Sequence, residues 1–240
     1  MRIDLAALES GYAARHTRRA SIQSAERRRY PRLTDYDYLV LRTLRRDIER
    51  LVAELGGGGV ALDIGCGESP YAEILGARGF TVETLDLTEE TEPDYVGTAE
   101  STGLESGRFQ VVLCTQVLEH VTDPWAAARE IARLLPVGGQ AIVSVPHVWF
   151  FHPHPRDHWR FTQQGLLQLV ESAGLTPVSL LAQGGSLLAL CQIVNFLAYG
   201  AVGRRGAPLY AALNAAARVD RLIRNDLFCL NFACLARKDG

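Results

Sequence analysis

Val60-Ala61-Leu62-Asp63-Ile64-Gly65-Cys66-Gly67 reads as a buried strand that ends at an acidic residue and then turns through two glycines. A short apolar run of this kind fits a strand covered on both faces. Glycine lets the following turn bring its backbone close to a ligand. Alone, such a turn is ambiguous, because strand-to-helix turns also take glycine for packing.

The surroundings narrow the choice. Upstream, Leu39, Leu41, Leu44, Ile48 and Leu51 recur at helical spacing from Tyr36 to about Leu55, and the Gly56–Gly59 run ends that helix. Downstream, strands are expected at Val60–Ile64, Thr81–Leu87, Phe109–Thr115 and Gln140–Val145, with helices at Tyr71–Arg78 and Pro124–Leu135 between them. Strands alternating with helices of that length imply right-handed crossovers and a largely parallel sheet covered on both faces. Ser69-Pro70 and Asp123-Pro124 each place a capping side chain before proline at a helix start. A helix opened by Thr162 and closed by Gly174, a strand Thr176–Leu181, helices Ser186–Val202 and Pro208–Arg224, and a last strand Leu227–Ala236 complete the pattern.

Ligands on such sheets sit beyond the carboxyl ends of the strands. The second strand reaches Asp86, 23 residues past Asp63, where a carboxylate suits the two hydroxyls of a ribose. The pair Asp63 and Asp86 therefore fits a nucleoside ligand. A dinucleotide dehydrogenase is disfavoured, because the first turn reads GCGESP and Pro70 stands where a full GxGxxG fingerprint needs its third glycine.

In order along the chain, ALDIGCG, the Asp86 strand end, VGTAESTGL, FQVVLCTQVLEHVTDP, ARLLPVGGQAIVSVP and LLQLVESAGL resemble class I S-adenosylmethionine-dependent methyltransferases over residues 36–182. The resemblance implies a Rossmann-like α/β fold: a seven-stranded, mostly parallel sheet with an antiparallel last strand. It divides the chain into a basic arm and helix at 1–55 and a cofactor-binding domain at 56–240, with a helical insertion at about 184–225. It implies that Gly65, Cys66 and Gly67 line the methionine portion of S-adenosylmethionine, with Asp63 near the ammonium group. Asp86 would hold the ribose, Leu87 the adenine face, and Ala99 and Glu100 the adenine edge. Thr115 and Gln116 would lie below the sulfonium. Such families usually carry Asp where Thr98 stands, leaving Glu100 as the alternative partner of the adenine amino group.

After the fifth strand, His152-Pro153-His154-Pro155-Arg156-Asp157-His158-Trp159-Arg160-Phe161-Thr162 resembles an HPxPxDxWRFT pattern of a methyltransferase subgroup often found in glycan and natural-product gene clusters. Methyl transfer to oxygen needs a nucleophile freed of its proton, and histidine titrates near neutral pH. His152 and His158 are therefore candidate bases, Asp157 an orienting partner, and His120 a third candidate. The alternative is a rigid lid in which Asp157 pairs with Arg160. Glu119-His120 resembles the acidic-histidine metal site of ubiquinone-type O-methyltransferases, but Gln116 stands where those enzymes carry another Glu. No required metal is expected.

Ser186–Val202 is uncharged yet shorter than the ~20 apolar residues that span a bilayer. Gln192, Asn195 and Tyr199 form one polar stripe along it. Two readings stay open: a buried helix in a cap or homodimer interface, or a wall for a bulky apolar acceptor or a membrane-surface contact.

The 240 residues carry 25 Lys+Arg against 27 Asp+Glu, a net charge of −2, which lacks the basic footprint of a nucleic-acid binder. Arg15, Arg18, Arg19, Arg27, Arg28, Arg29 and Arg32 make residues 1–35 a basic arm, expected to be mobile. Cys66, Cys114, Cys191, Cys229 and Cys234 form no CxxC pair, and no apolar leader is evident, so a reducing cytoplasm is expected. The expected activity is methylation of a hydroxyl on a small-molecule acceptor, a glycan or secondary metabolite. An amine acceptor such as an amino sugar is the enzymatic alternative, and a cofactor-binding interaction protein the non-enzymatic one.

Overall fold

The computed structural model describes residues 24–153, 155–223 and 225–240. Seven strands form one sheet: β1 (Gly59–Ile64), β2 (Phe80–Asp86), β3 (Tyr95–Val96), β4 (Val111–Thr115), β5 (Gln140–Pro146), β6 (Leu175–Gln183) and β7 (Asn231–Lys238). Their order is β3-β2-β1-β4-β5-β7-β6. The first five run parallel, and β7 is antiparallel to both β5 and β6. The chain reverses between β1 and β4, so the ends of β1, β2 and β4 open onto one crevice, where ligands of such sheets bind. This is the Rossmann-like arrangement expected. The two-residue β3 was not expected, because Tyr95–Val96 is too short to carry a period-2 signal.

The helices are α1 (Ala25–Arg29), α2 (Tyr38–Ala53), α3 (Ala72–Gly76), α4 (Pro124–Leu134), α5 (Gln163–Ser172), α6 (Ser186–Val202) and α7 (Ala207–Ala216). The leucine spacing of α2 puts Leu44, Ile48, Leu51 and Val52 on one buried face, against Ala61, Val111, Leu113, Ile142 and Leu235 of the sheet. The other sheet face packs Leu62, Val112, Cys114 and Val143 against Ala127, Ile131, Leu166 and Leu169 of α4 and α5. Burying an apolar side chain of this size is worth about 1.5–3 kcal/mol.

Two caps behave as their sequences predict. Asp123 accepts a hydrogen bond from the backbone N–H of Ala126 at 3.0 Å, and Thr162 accepts from Gly165 at 3.1 Å. Ser69 does not cap a helix. It sits at φ 44°, its hydroxyl donates to Asp63, and α3 starts later and is shorter than the pattern suggested. The predicted Pro208–Arg224 helix is α7 followed by a 3₁₀ turn over Ala217–Arg221, and Arg224 lies outside the described residues.

The expectation of a mobile arm fails for its last part. From Ser24 onward the arm is docked: Ala25 N–H donates to Glu68, Arg29 to the carbonyls of Ser69 and Pro70, and Arg27 to Asp37. Arg15, Arg18 and Arg19 lie outside the described residues.

Candidate active site

The turn after β1 is built around glycine. Gly65 adopts φ 65°, and a Cβ there would lie 2.3 Å from Cγ2 of Val117, so any side chain would both strain the backbone and clash. Gly67 adopts φ 52° with nothing within 4 Å of a would-be Cβ, so the turn faces open space. Its N–H donates to Asp86 Oδ2 at 2.8 Å, while Leu87 N–H donates to Oδ1 at 2.7 Å. These bonds orient the Asp86 carboxylate at the end of β2.

Asp63, at the end of β1, is buried and accepts a 2.7 Å hydrogen bond from Ser69 Oγ. Burial raises its pKa to about 6, against the opposing pull of that bond and of Arg28. A buried carboxylate so raised gains from a cationic partner. The turn thus offers a carboxylate for an ammonium group, an open glycine cradle and an oriented carboxylate for vicinal hydroxyls. That set fits S-adenosylmethionine, whose amino acid and ribose carry those groups.

The other implied contacts have mixed surroundings. Cys66 and Ala99 are buried, and Leu87 is exposed, free to meet a flat ring. Glu100 already accepts from the backbone N–H of Thr122 at 3.2 Å. Thr115 is buried at the end of β4; Gln116 follows at φ 56°, with its amide donating to Ser144 Oγ.

A second group of side chains converges beyond β4. Glu119 is wholly buried, and neither carboxylate oxygen accepts a hydrogen bond among the described residues. Nε2 of His120 lies 3.8 Å, and Nε2 of His152 4.0 Å, from its Oε1. The two rings stand edge to face, 5.0 Å apart. His120 Nδ1 is bonded to the carbonyl of Arg156. His152 Nδ1 lies 3.0 Å from the carbonyl of Phe150 and 3.4 Å from Asp157. The acceptor beside Nδ1 of His120 assigns the proton there in the neutral ring and leaves a lone pair on its Nε2, whereas Nδ1 of His152 has both these acceptors and Nη2 of Arg160, at 3.3 Å, as neighbours. Two imidazole Nε2 atoms and a carboxylate therefore face one another.

The titration shifts follow. Burial pushes Glu119 up to about 7. Burial lowers His120 to about 4, outweighing its bond to Arg156. Asp157 behaves oppositely: burial raises it, but bonds from His152 and Arg160 prevail and hold it well below the usual carboxylate range. Asp157 accepts from the backbone N–H of His152 at 2.9 Å and also pairs with Arg160, the pairing expected of a rigid lid. His158 is not brought into the group. Its backbone N–H donates to the carbonyl of Glu119, while the residue itself is exposed. His154 lies outside the described residues. Donor atoms of Glu119, His120 and His152 all lie within 4.8 Å of one another, close enough to share a proton or ligate a metal ion.

Residues 36–180 match a family described as a methyltransferase domain. The chain belongs to this methyltransferase family. Its cofactor is S-adenosylmethionine, in keeping with the turn described above. Among curated relatives, the ubiquinone biosynthesis O-methyltransferase of Xanthomonas oryzae pv. oryzae is 34% identical over 123 residues, covering 43% of this chain and 49% of that one. The corresponding protein of Caulobacter sp. is 37% identical over 98 residues, covering 35% and 39%. The chain thus spans half or less of the length of these relatives. Among solved structures, Burkholderia thailandensis 1,6-didemethyltoxoflavin-N1-methyltransferase aligns with a TM-score of 0.60 at 17% identity, over 98% of this chain and 89% of that one. A geranyl diphosphate methyltransferase bound to the cofactor gives 0.58 at 16% identity, over 85% and 90%. At such identities these likenesses concern the fold.

The methyltransferase turn also has neighbours that sequence reasoning missed. Arg28 lies over the ring of Tyr71, 5.7 Å from its centroid, and Arg29 bonds the carbonyls of the same turn. The signal in the sequence was charge alone, which equally describes a solvated face. Glu119 was noticed as half of an acid-histidine pair, but its complete burial depends on the loop that folds over it from β5.

Proposed function

We propose that this methyltransferase transfers the methyl group of S-adenosylmethionine to a hydroxyl of a small-molecule acceptor, with the Glu119–His120–His152 group taking up the hydroxyl proton. The observation that carries this reading is the convergence of two imidazole Nε2 atoms on a buried carboxylate that accepts no hydrogen bond among the described residues. Such a group has a strong affinity for one added proton, and a hydroxyl releases one when its oxygen forms the new bond to carbon.

S-adenosylmethionine supplies the methyl group when bound. Gly65, Gly67, Asp63 and Asp86 hold it at the carboxyl edge of the sheet. His152, with side-chain exposure of 21%, is the more accessible of the two rings and receives the proton at Nε2. The Phe150 carbonyl, Asp157 and Nη2 of Arg160, all beside Nδ1, hold the ring in place, and the imidazolium that forms gains from Asp157 3.4 Å away. Glu119 stabilises the same charge from the buried side. Charge would otherwise build up on the acceptor oxygen, and relieving it is worth roughly 10²–10⁴ in rate.

The O-methyltransferase names of the curated relatives support a hydroxyl acceptor. The proline-rich loop after β5, with its natural-product-like pattern, supports a glycan or secondary-metabolite scaffold as its carrier. The test is methylation of a panel of hydroxyl and amine acceptors, followed by mass spectrometry for a methyl-sized gain. Methylation of amines alone would overturn the assignment.

A further inference from the structure

The helical insertion between β6 and β7 is arranged with its polar residues inside and much of its apolar surface outside. On α6, Gln192 and Asn195 are completely buried, and Tyr199 stacks on Tyr36 at 3.9 Å. Gln192 donates to the carbonyl of Tyr36 and accepts from Val40, and Asn195 donates to the equally buried Asn214 of α7. Asn214 in turn donates to the carbonyls of Leu33 and Asp35. The polar stripe is therefore a clamp to the N-terminal segment, and the pocket-wall reading of it falls away. The clamp fixes the rotation of α6, because turning the helix would break the three hydrogen bonds of Gln192 and Asn195.

What this rotation exposes is apolar. Leu190, Val194 and Leu197 follow at spacings of four and three on one face and are 53%, 46% and 59% exposed. Beyond α7, Val219, Leu222 and Ile223 are 47%, 85% and 62% exposed. Isolated exposed leucines are ordinary, but a run of this kind on one insertion marks a contact surface.

The exposed charges of the same insertion are mostly positive. Arg204, Arg205, Arg218 and Arg221 are exposed against one exposed acidic residue, Asp226, whereas Asp220 is buried and accepts the N–H groups of Gly185 and Leu188. A cavity of about 290 Å³ opens between α2 and this segment, lined by Arg42, Arg46, Arg218 and Arg221 and by the one carboxylate of Asp220; Arg46 is bonded to Asp47. It shares no residue with the candidate active site.

We infer that this face docks on an anionic phospholipid bilayer, with the exposed apolar side chains entering the headgroup boundary and the arginine-lined cavity receiving a lipid phosphate. An apolar face flanked by arginine is the pattern of helices that lie in a membrane surface. The insertion lies on the bilayer and does not span it. Ser186–Arg221 is apolar enough to cross by length and composition, but the helix is interrupted at Gly203, where φ is 58°. The 17 residues of α6 reach about 25 Å, short of the roughly 30 Å hydrocarbon core. A second copy of the chain is a poorer occupant, because a two-fold contact would set this arginine-rich patch against itself. Docking would also bear on the active site, since Phe196 of α6 stacks on Phe150 at 4.2 Å, two residues before His152.

The test is cosedimentation of the full chain with phosphatidylglycerol–phosphatidylcholine vesicles and with pure phosphatidylcholine vesicles. Binding at least about tenfold tighter to the anionic vesicles is expected, weakening in high salt. Leu190→Ser/Val194→Ser/Leu197→Ser should bind at least about tenfold more weakly, with circular dichroism and melting unchanged because these side chains face outward. Arg218→Gln/Arg221→Gln should remove the preference for phosphatidylglycerol, and free glycerol 3-phosphate should not displace the protein. Equal binding to both vesicle types, undiminished binding of the serine variant, or release by glycerol 3-phosphate would overturn the inference. A wild-type dimer that the serine variant converts to monomer, without vesicle binding by either, would assign the face to self-association instead.

Discussion

Nε2 of His152 lies 4.0 Å from Oε1 of Glu119, a carboxylate with no exposed surface and no hydrogen bond to either oxygen among the described residues. A buried ion left in that state costs several kcal/mol, so the pair favours states in which a proton has been added.

Glu119→Gln removes that ionisation with little change of shape. Burial raises the folded-state pKa from its ordinary 4.5 to about 7, so the native chain holds this proton more tightly than the unfolded one. The resulting stability is fully present below about pH 4.5 and is lost as pH rises through 7. Denaturant melts should show wild type losing about 3 kcal/mol relative to Glu119→Gln across that window. A constant difference from pH 4.5 to 8 would show that Glu119 is not held up by burial. In turnover the same variant should lose roughly 10²-fold or more.

Asp86→Ala removes an acceptor for the N–H groups of Gly67 and Leu87 and, in the proposed binding mode, for the cofactor hydroxyls. Unpaired buried groups cost roughly 1–3 kcal/mol each. Titration calorimetry with S-adenosylhomocysteine should show affinity lower by about tenfold or more. Wild-type affinity would remove Asp86 from the site.

Gly65 and Gly67 should separate stability from binding. Gly65→Ala meets Val117 at 2.3 Å as well as a left-handed backbone, and should lower the melting temperature strongly. Gly67→Ala carries only the backbone cost, about 1–2 kcal/mol, but its methyl group enters the ligand space. It should fold yet bind S-adenosylhomocysteine poorly. Tight binding by Gly67→Ala would place the cofactor elsewhere.

Parts of this molecule differ in how far residues declare themselves locally. The leucine spacing of α2, the Asp123 and Thr162 caps and the alternation of strands and helices are short-range signals, and each became the expected element. Ser69 looked like a cap because the Ser-Pro pair is a local cue. A long-range bond to Asp63 took its hydroxyl instead. The active-site group is less legible, because His152 reaches Glu119 only through the fold of the loop after β5. His152 and His158 are both candidate bases in the sequence, though only His152 matches the loop pattern, and only its ring enters the group. The inverted insertion was hidden for the same reason: its polar stripe was visible, but its partners Tyr36, Leu33 and Asp35 lie over 150 residues away along the chain.

Glu119, His120 and His152 offer three donors to a metal ion, whereas Gln116 turns its amide to Ser144 and adds none. The proton-acceptor reading expects full turnover after dialysis against a chelator. Loss of activity that a divalent cation restores would reassign the group to metal binding.

The histidines separate the chemistry from the scaffold. His152→Ala removes the accessible lone pair and should lower turnover by roughly 10²–10⁴ at unchanged S-adenosylhomocysteine affinity. His120→Ala should do less, because its ring is bonded to the Arg156 carbonyl and burial already holds its pKa near 4, so it is a poor proton acceptor at neutral pH. His158→Ala should be close to wild type, since only the backbone of that residue touches Glu119. Raising the pH should partly restore His152→Ala with an acidic hydroxyl acceptor, because solvent hydroxide can then remove the proton, and should leave wild type comparatively flat. Similar, modest losses in all three variants would mean that proximity to the cofactor drives the reaction. The loop would then be a lid held by Asp157 and Arg160, and an amine would become the better acceptor.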